Sequence, residues 1–267
     1  MVVISERSVR RIIEDVAPKV ERLTGWNPHL NDLEVRIIKR DQYFQEGMVP
    51  TYAKLGIDTE AKTADGMKTV KMLKIVSSYL MLGQYIPITG TLLIIPDNIR
   101  FGTNESGLAL TLGHELVHRC QFINNPKFAQ IYNQLVKRSS GTNAFDEDGF
   151  EDKGVMDYLQ SYMTLVEGDA SFVQGQLKNM FYQDAKNKTS GISNFIGLLL
   201  MLASSKNGKE DVFGKKLDQY SKGRRNVRRV YQNGGRESVN ALYKLNDFEL
   251  TDAFINLRAY KVKWGGF

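Results

Sequence analysis

His114 and His118 stand four residues apart, with Glu115 directly after the first, and they are two of only three histidines in 267 residues. On a helix, positions i and i+4 lie about 40° apart around the axis and one turn along it, so both imidazoles bear on one point. Glu115 points along an adjacent line, within reach of a water at that point and badly placed to be a ligand. This is the H-E-x-x-H arrangement of zinc hydrolases. The competing reading is two buried histidines that satisfy each other or the backbone.

The segment around the motif suits a helix. Residues 105–123 carry an apolar pattern that Asn124-Asn125-Pro126 ends, because proline cannot continue the hydrogen-bond ladder. A zinc site needs a third protein ligand. Cys120 lies two positions past His118 and points off that face, which suits a small core residue. His29, after Pro28 in a turn-like stretch, reads as a surface or structural histidine.

Carboxylates are the better source. Glu167 sits in Leu165-Val166-Glu167-Gly168-Asp169-Ala170, among apolar and small residues. A carboxylate there is costly to bury without a partner, and a zinc ion is such a partner. Gly168 and Ala170 would let this helix approach the histidine helix. Asp169 lies some 200° around from Glu167, so it is no co-ligand and is free to hydrogen-bond behind the ligands. Ser171, one turn past Glu167, faces the same way and is placed to contact a ligand histidine.

The rest of the chain supplies the frame. Residues 5–23 read as an amphipathic helix that Pro18 kinks or ends. Residues 33–39 and 91–95 read as strands, the second ended by Pro96-Asp97-Asn98. Residues 47–66 look like a loop. Helices are expected over 67–82, 128–137 and 155–180, with breaks near Asn207-Gly208 and Asn233-Gly234-Gly235. The expected class is α+β and helix-dominated. It divides into 1–140, with a small sheet and the motif helix, and 141–267, helical and carrying the third ligand.

Composition adds exclusions. One cysteine rules out a disulfide framework or a thiolate zinc cluster. The first residues show no basic leader before an apolar stretch, and the run from Gly197 to Ala203 is too short to span a bilayer. A cytoplasmic location and no membrane partner are the expectation. The net charge is +6, concentrated late, as at Lys215-Lys216 and Arg224-Arg225. Such a stripe reads as a solvated helix face, since no nucleic-acid motif accompanies it; a polyanion-binding face is the alternative.

These residues resemble two known groups. His114, Glu115, His118 and the later Glu167 are similar to the gluzincin metallopeptidases, which implies His114, His118 and Glu167 as zinc ligands and Glu115 as general base. The usual aspartate four residues after the ligand glutamate is here Ser171. A closer resemblance is to an uncharacterised zincin-like family labelled "putative hydrolase" or associated with deazaflavin-coenzyme biosynthesis. It runs from about Gly83 to Phe254. It rests on Gly83-Gln84-Tyr85, residues 93–99, residues 114–122 with Pro126, residues 165–170, Gln219-Tyr220 with Gly223, and Gly234-Gly235.

The resemblance implies a zincin-like metallopeptidase fold with strand 91–95 as an exposed edge beside the motif helix. Tyr220, in a matched block, becomes the candidate donor to a developing oxyanion; a core tyrosine beside Gly223 is its other reading. Arg119 is expected to face another surface and pair with Asp146 to Asp148. The expected activity is zinc-dependent hydrolysis of a peptide or amide substrate. A non-catalytic zinc protein on the same scaffold is the alternative.

Overall fold

The computed structural model describes residues 4–60, 82–99, 103–140, 153–186, 212–250 and 254. Among these, helices dominate and one three-stranded sheet is present, an α+β architecture. The expected helix over 67–82, all but Leu82, and the break at Asn207-Gly208 lie outside the described residues, as do Asp146 to Asp148.

Helix α1 (Glu6–Thr24) presents Val9, Ile12, Ile13, Val16 and Val20 to the interior. Ser5 caps it through the Ser8 N–H, and Gly25 closes it in the left-handed region at φ 69°. Pro18 neither ends nor interrupts the helix. It lies on the exposed face, where water can satisfy the carbonyl that loses its N–H partner.

Strands β1 (Glu34–Ile37), β2 (Gly83–Ile86) and β3 (Thr91–Ile94) form the sheet in the order β1-β3-β2. β3 runs parallel to β1 and antiparallel to β2. The expectation that residues 91–95 form an exposed edge is therefore corrected, because β3 is the central strand. Its unbroken apolar run follows from burial on both faces: Leu92 and Ile94 join one core, Leu93 and Ile95 the other.

Part of the expected loop over 47–66 is helical. A π-turn at Phe44–Met48 leads into α2 (Val49–Lys54). Phe44, Met48, Tyr52 and Leu55 recur at helical spacing and are buried, so packing overrides the turn-forming residues between them.

Helix α3 (Glu105–Ile123) carries the histidine motif and is buried from Gly107 to Phe122. Asn104 caps it through the Gly107 N–H at 2.9 Å. Helices α4 (Pro126–Ser140), α5 (Lys153–Met180), α6 (Val212–Leu242) and α7 (Asp247–Leu250) complete the described fold. α6 is broken at Gly234 and Gly235, the latter at φ 65°, where glycine is needed. Gly168 of α5 packs against α6 rather than α3. A Cβ there would lie 2.5 Å from the Gly223 carbonyl carbon, so paired glycines let these two backbones meet. No helix among the described residues is long and apolar enough to cross a membrane.

Candidate metal centre

A helix buried all round must satisfy every polar side chain it carries. α3 carries His114, Glu115, His118, Arg119 and Gln121 into the interior, and each has a separate answer.

His114 and His118 turn their Nε2 atoms toward each other, 3.0 Å apart. Glu167 comes from α5, its Oε2 lying 3.3 Å from His114 Nε2 and 3.5 Å from His118 Nε2. All three side chains are buried, and together they form a cluster able to hold a metal ion. Donors at about 2.0–2.1 Å from a tetrahedral zinc stand about 3.3–3.4 Å from one another, so the observed edges fit such an ion. Glu167 Oε2 has no hydrogen bond of proper geometry, although a buried carboxylate without one is costly. The chemistry of the set, two imidazoles and one carboxylate, suits zinc.

Without an ion the cluster is a coupled charge pair. Burial alone would lower the His118 pKa. The Glu167 charge outweighs it, with Glu115 and Gln121 adding to it, and the pKa stands at about 9. Burial would raise Glu167, but His118 and His114 hold it down at about 2.

The far side of His118 is tied down. Its Nδ1 meets Gln121 Oε1 at 2.9 Å. Gln121 Nε2 donates to Val166 O at 3.0 Å and to Asp169 Oδ2 at 3.3 Å. Asp169 is fully buried and accepts two bonds from Arg236, at 2.5 and 2.9 Å, and one from the Tyr243 hydroxyl at 2.9 Å. Asp169 thus stands behind the cluster, as its angular position on α5 implies. Gln121 and Arg236 were not singled out from the sequence. Gln121 had a signal, being one helical turn past His118; Arg236, on a separate helix past a break, had none.

Glu115 is no member of the ligand cluster. Its Oε2 accepts the Tyr85 N–H at 2.8 Å, which pins it to edge strand β2. Burial raises its pKa, against the opposing pull of His118, His114 and that N–H.

Other expected residues fall as follows. Ser171 is buried, but its Oγ has no partner, and neither has His114 Nδ1, so the expected contact with a ligand histidine is not made. Arg119 is buried rather than facing a separate surface, with bonds of 2.6 Å to Pro28 O, His29 O and Asp32 Oδ1. It braces the 28–32 turn against α3. His29 is exposed, away from the cluster, with its backbone at φ 48°. Cys120 is a core residue whose thiol burial pushes up to about 12. Tyr220 lies in α6, and its side chain is outside the described ones.

No family model matches the chain, and no curated protein matches it in sequence. Among solved structures, the chain is similar to the "crystal structure of a putative hydrolase with a novel fold" from Chloroflexus aurantiacus. The two share 15% identity and a TM-score of 0.60 over 98% of this chain and 93% of that one, a likeness of fold along nearly the whole length.

Proposed function

We propose that the protein is a zinc-dependent hydrolase of a peptide or amide bond, with Glu115 as its general base. The observation that carries this reading is the position of Glu115. It stands one residue from a ligand, outside the ligand set, with one oxygen fixed by a backbone N–H. The name given to the Chloroflexus protein supports hydrolysis.

His114, His118 and Glu167 would hold the ion. Bound zinc supplies Lewis acidity and lowers the pKa of water to roughly 7. The chain's own residues do the rest. Tyr85 holds Glu115 Oε2, which leaves Oε1 to take the proton of the attacking water and return it to the leaving nitrogen. The raised pKa of Glu115 suits both transfers. Gln121 fixes the ring of His118, and Asp169 with Arg236 fixes Gln121. Tyr220 is assigned as donor to the developing oxyanion.

Burial of all three donors also suits a purely structural ion, the second reading. One experiment separates the two. Zinc-loaded Glu115→Gln is compared with the wild type on a library of peptides and acyl amides. A hydrolase loses about 10²–10⁴-fold in turnover while zinc content is unchanged. Equal turnover, or none in either protein, overturns the hydrolase reading.

A further inference from the structure

Against the face of the sheet that carries Leu93 lies a cleft whose envelope, open solvent included, spans about 610 Å³. Tyr43, just before the π-turn, and Tyr52 of α2 form its aromatic side walls, and α4 contributes Tyr132. Strand β2 contributes Gln84, the neighbour in sequence of Tyr85, which holds the base. A Cβ at Gly83 would lie 3.8 Å from Glu115 Cγ, and the Tyr85 N–H holds Glu115 Oε2. The carboxylates of Glu115 and Glu167 act on two tyrosines of this chamber. After burial and Tyr52, the Glu115 charge helps raise the Tyr43 pKa; after burial, the Glu167 charge raises that of Tyr132.

The polar fittings of the chamber are few. The Tyr43 hydroxyl donates to Gln84 Oε1, and the Tyr132 hydroxyl donates to Met163 Sδ at 3.4 Å. Gln84 is buried, and with its oxygen engaged it offers the chamber its Nε2 donor. Asn133 also lines the chamber, but its Oδ1 is fully buried and presents no surface to it. No charged side chain lines the chamber among the described residues. One donor between apolar walls complements the carbonyl of an amide that carries a large apolar group. A charged group would lose its hydration there without gaining a partner.

We propose that this chamber is the specificity site. It takes an amide bearing an aromatic or large aliphatic side chain, with Gln84 Nε2 donating to the amide carbonyl. That the bound amide belongs to the molecule being cleaved rests on the hydrolase reading above; binding by itself does not.

The test is a chemical-shift titration of the full-length protein with the N-methylamides of N-acetyl-phenylalanine, N-acetyl-glycine and N-acetyl-aspartate. The phenylalanine amide is expected to bind at least about 10-fold tighter than either of the others, from burial of its ring. Gln84→Leu should weaken it about 10-fold, the loss of one net hydrogen bond. Ile88→Trp, in the half-buried turn at the mouth, should weaken it at least as much by filling the space. Equal binding of the three amides, no binding of any, or a preference untouched by both variants overturns the proposal. The same amides and their peptide counterparts are then assayed for cleavage. An apolar preference in binding with no cleavage leaves the chamber standing and removes the hydrolase reading. Cleavage without apolar preference removes the chamber and leaves the hydrolase.

Discussion

Gln121 accepts at Oε1 from the Nδ1 of His118 across 2.9 Å, and this contact decides which nitrogen of the ring faces the cluster. A carboxamide oxygen only accepts, so Nδ1 carries the proton and the Nε2 lone pair is left for an ion. Gln121→Met keeps the length of the side chain and removes the acceptor. Zinc affinity should fall about 10–100-fold, measured by competition with a chromophoric chelator. Unchanged affinity would mean that the contact orients nothing.

Asp169 is buried with no exposure, and its two bonds to Arg236 make a closed pair. Removing one partner leaves the other charge buried alone. Asp169→Ala should cost about 3–5 kcal/mol in denaturant unfolding. The double variant Asp169→Leu with Arg236→Met should cost clearly less than the sum of the single changes, because no charge is then stranded. Additive losses would show that the pair is not coupled.

Ser171 makes the opposite case. Its hydroxyl is buried without a partner, so it gives nothing back for its desolvation. Ser171→Ala should leave Tm unchanged or raise it slightly, with zinc affinity unaltered. A loss above about 1 kcal/mol would place a hidden bond on that hydroxyl.

Close approach of α5 and α6 depends on two missing side chains. In Gly168→Ala the new methyl would stand 2.5 Å from the Gly223 carbonyl carbon and 2.8 Å from its oxygen. Backbone atoms cannot swing aside, so the helices must part, at about 1–3 kcal/mol. Glu167 is the preceding residue, and zinc affinity should fall together with stability. Retained stability with normal zinc binding would contradict the close packing.

The metal-free protein should also respond to pH in a defined way. The His118 pKa is raised from 6.5 to about 9, so its contribution is complete below 6.5 and is lost as pH rises through 9. The Glu167 pKa is lowered from 4.5 to about 2, so its contribution is present above 4.5 and is lost as pH falls through 2. These two groups favour maximal stability between 4.5 and 6.5, with a decline toward 9. Thermal unfolding of chelator-treated protein across that range checks the sign; stability rising from pH 6.5 to 9 would contradict it.

Much of the candidate site was legible because it is local. Spacing alone puts His114 and His118 on one helical turn, and Glu167 shows itself as a charge among apolar neighbours. Its angular offset turns Asp169 away from the Glu167 carboxylate, and there it bonds Gln121, Arg236 and Tyr243. What failed to show depends on pairing between distant segments. Strand order made β3 central, which no local pattern encodes. Arg119 found its partners some ninety residues earlier in the chain, at Pro28, His29 and Asp32. Residues 47–66 look like a loop by composition, and the helical spacing of Phe44, Met48 and Tyr52 becomes decisive only once a core receives them.

The proposed hydrolase requires that His114, His118 and Glu167 hold one zinc ion together. The decisive measurement is metal analysis of the purified protein beside His118→Ala and Glu167→Gln. One zinc per chain in the wild type, and little in either variant while both remain folded, is the expected result. A wild type that takes up no zinc when it is supplied, or variants that keep a full equivalent, would contradict it.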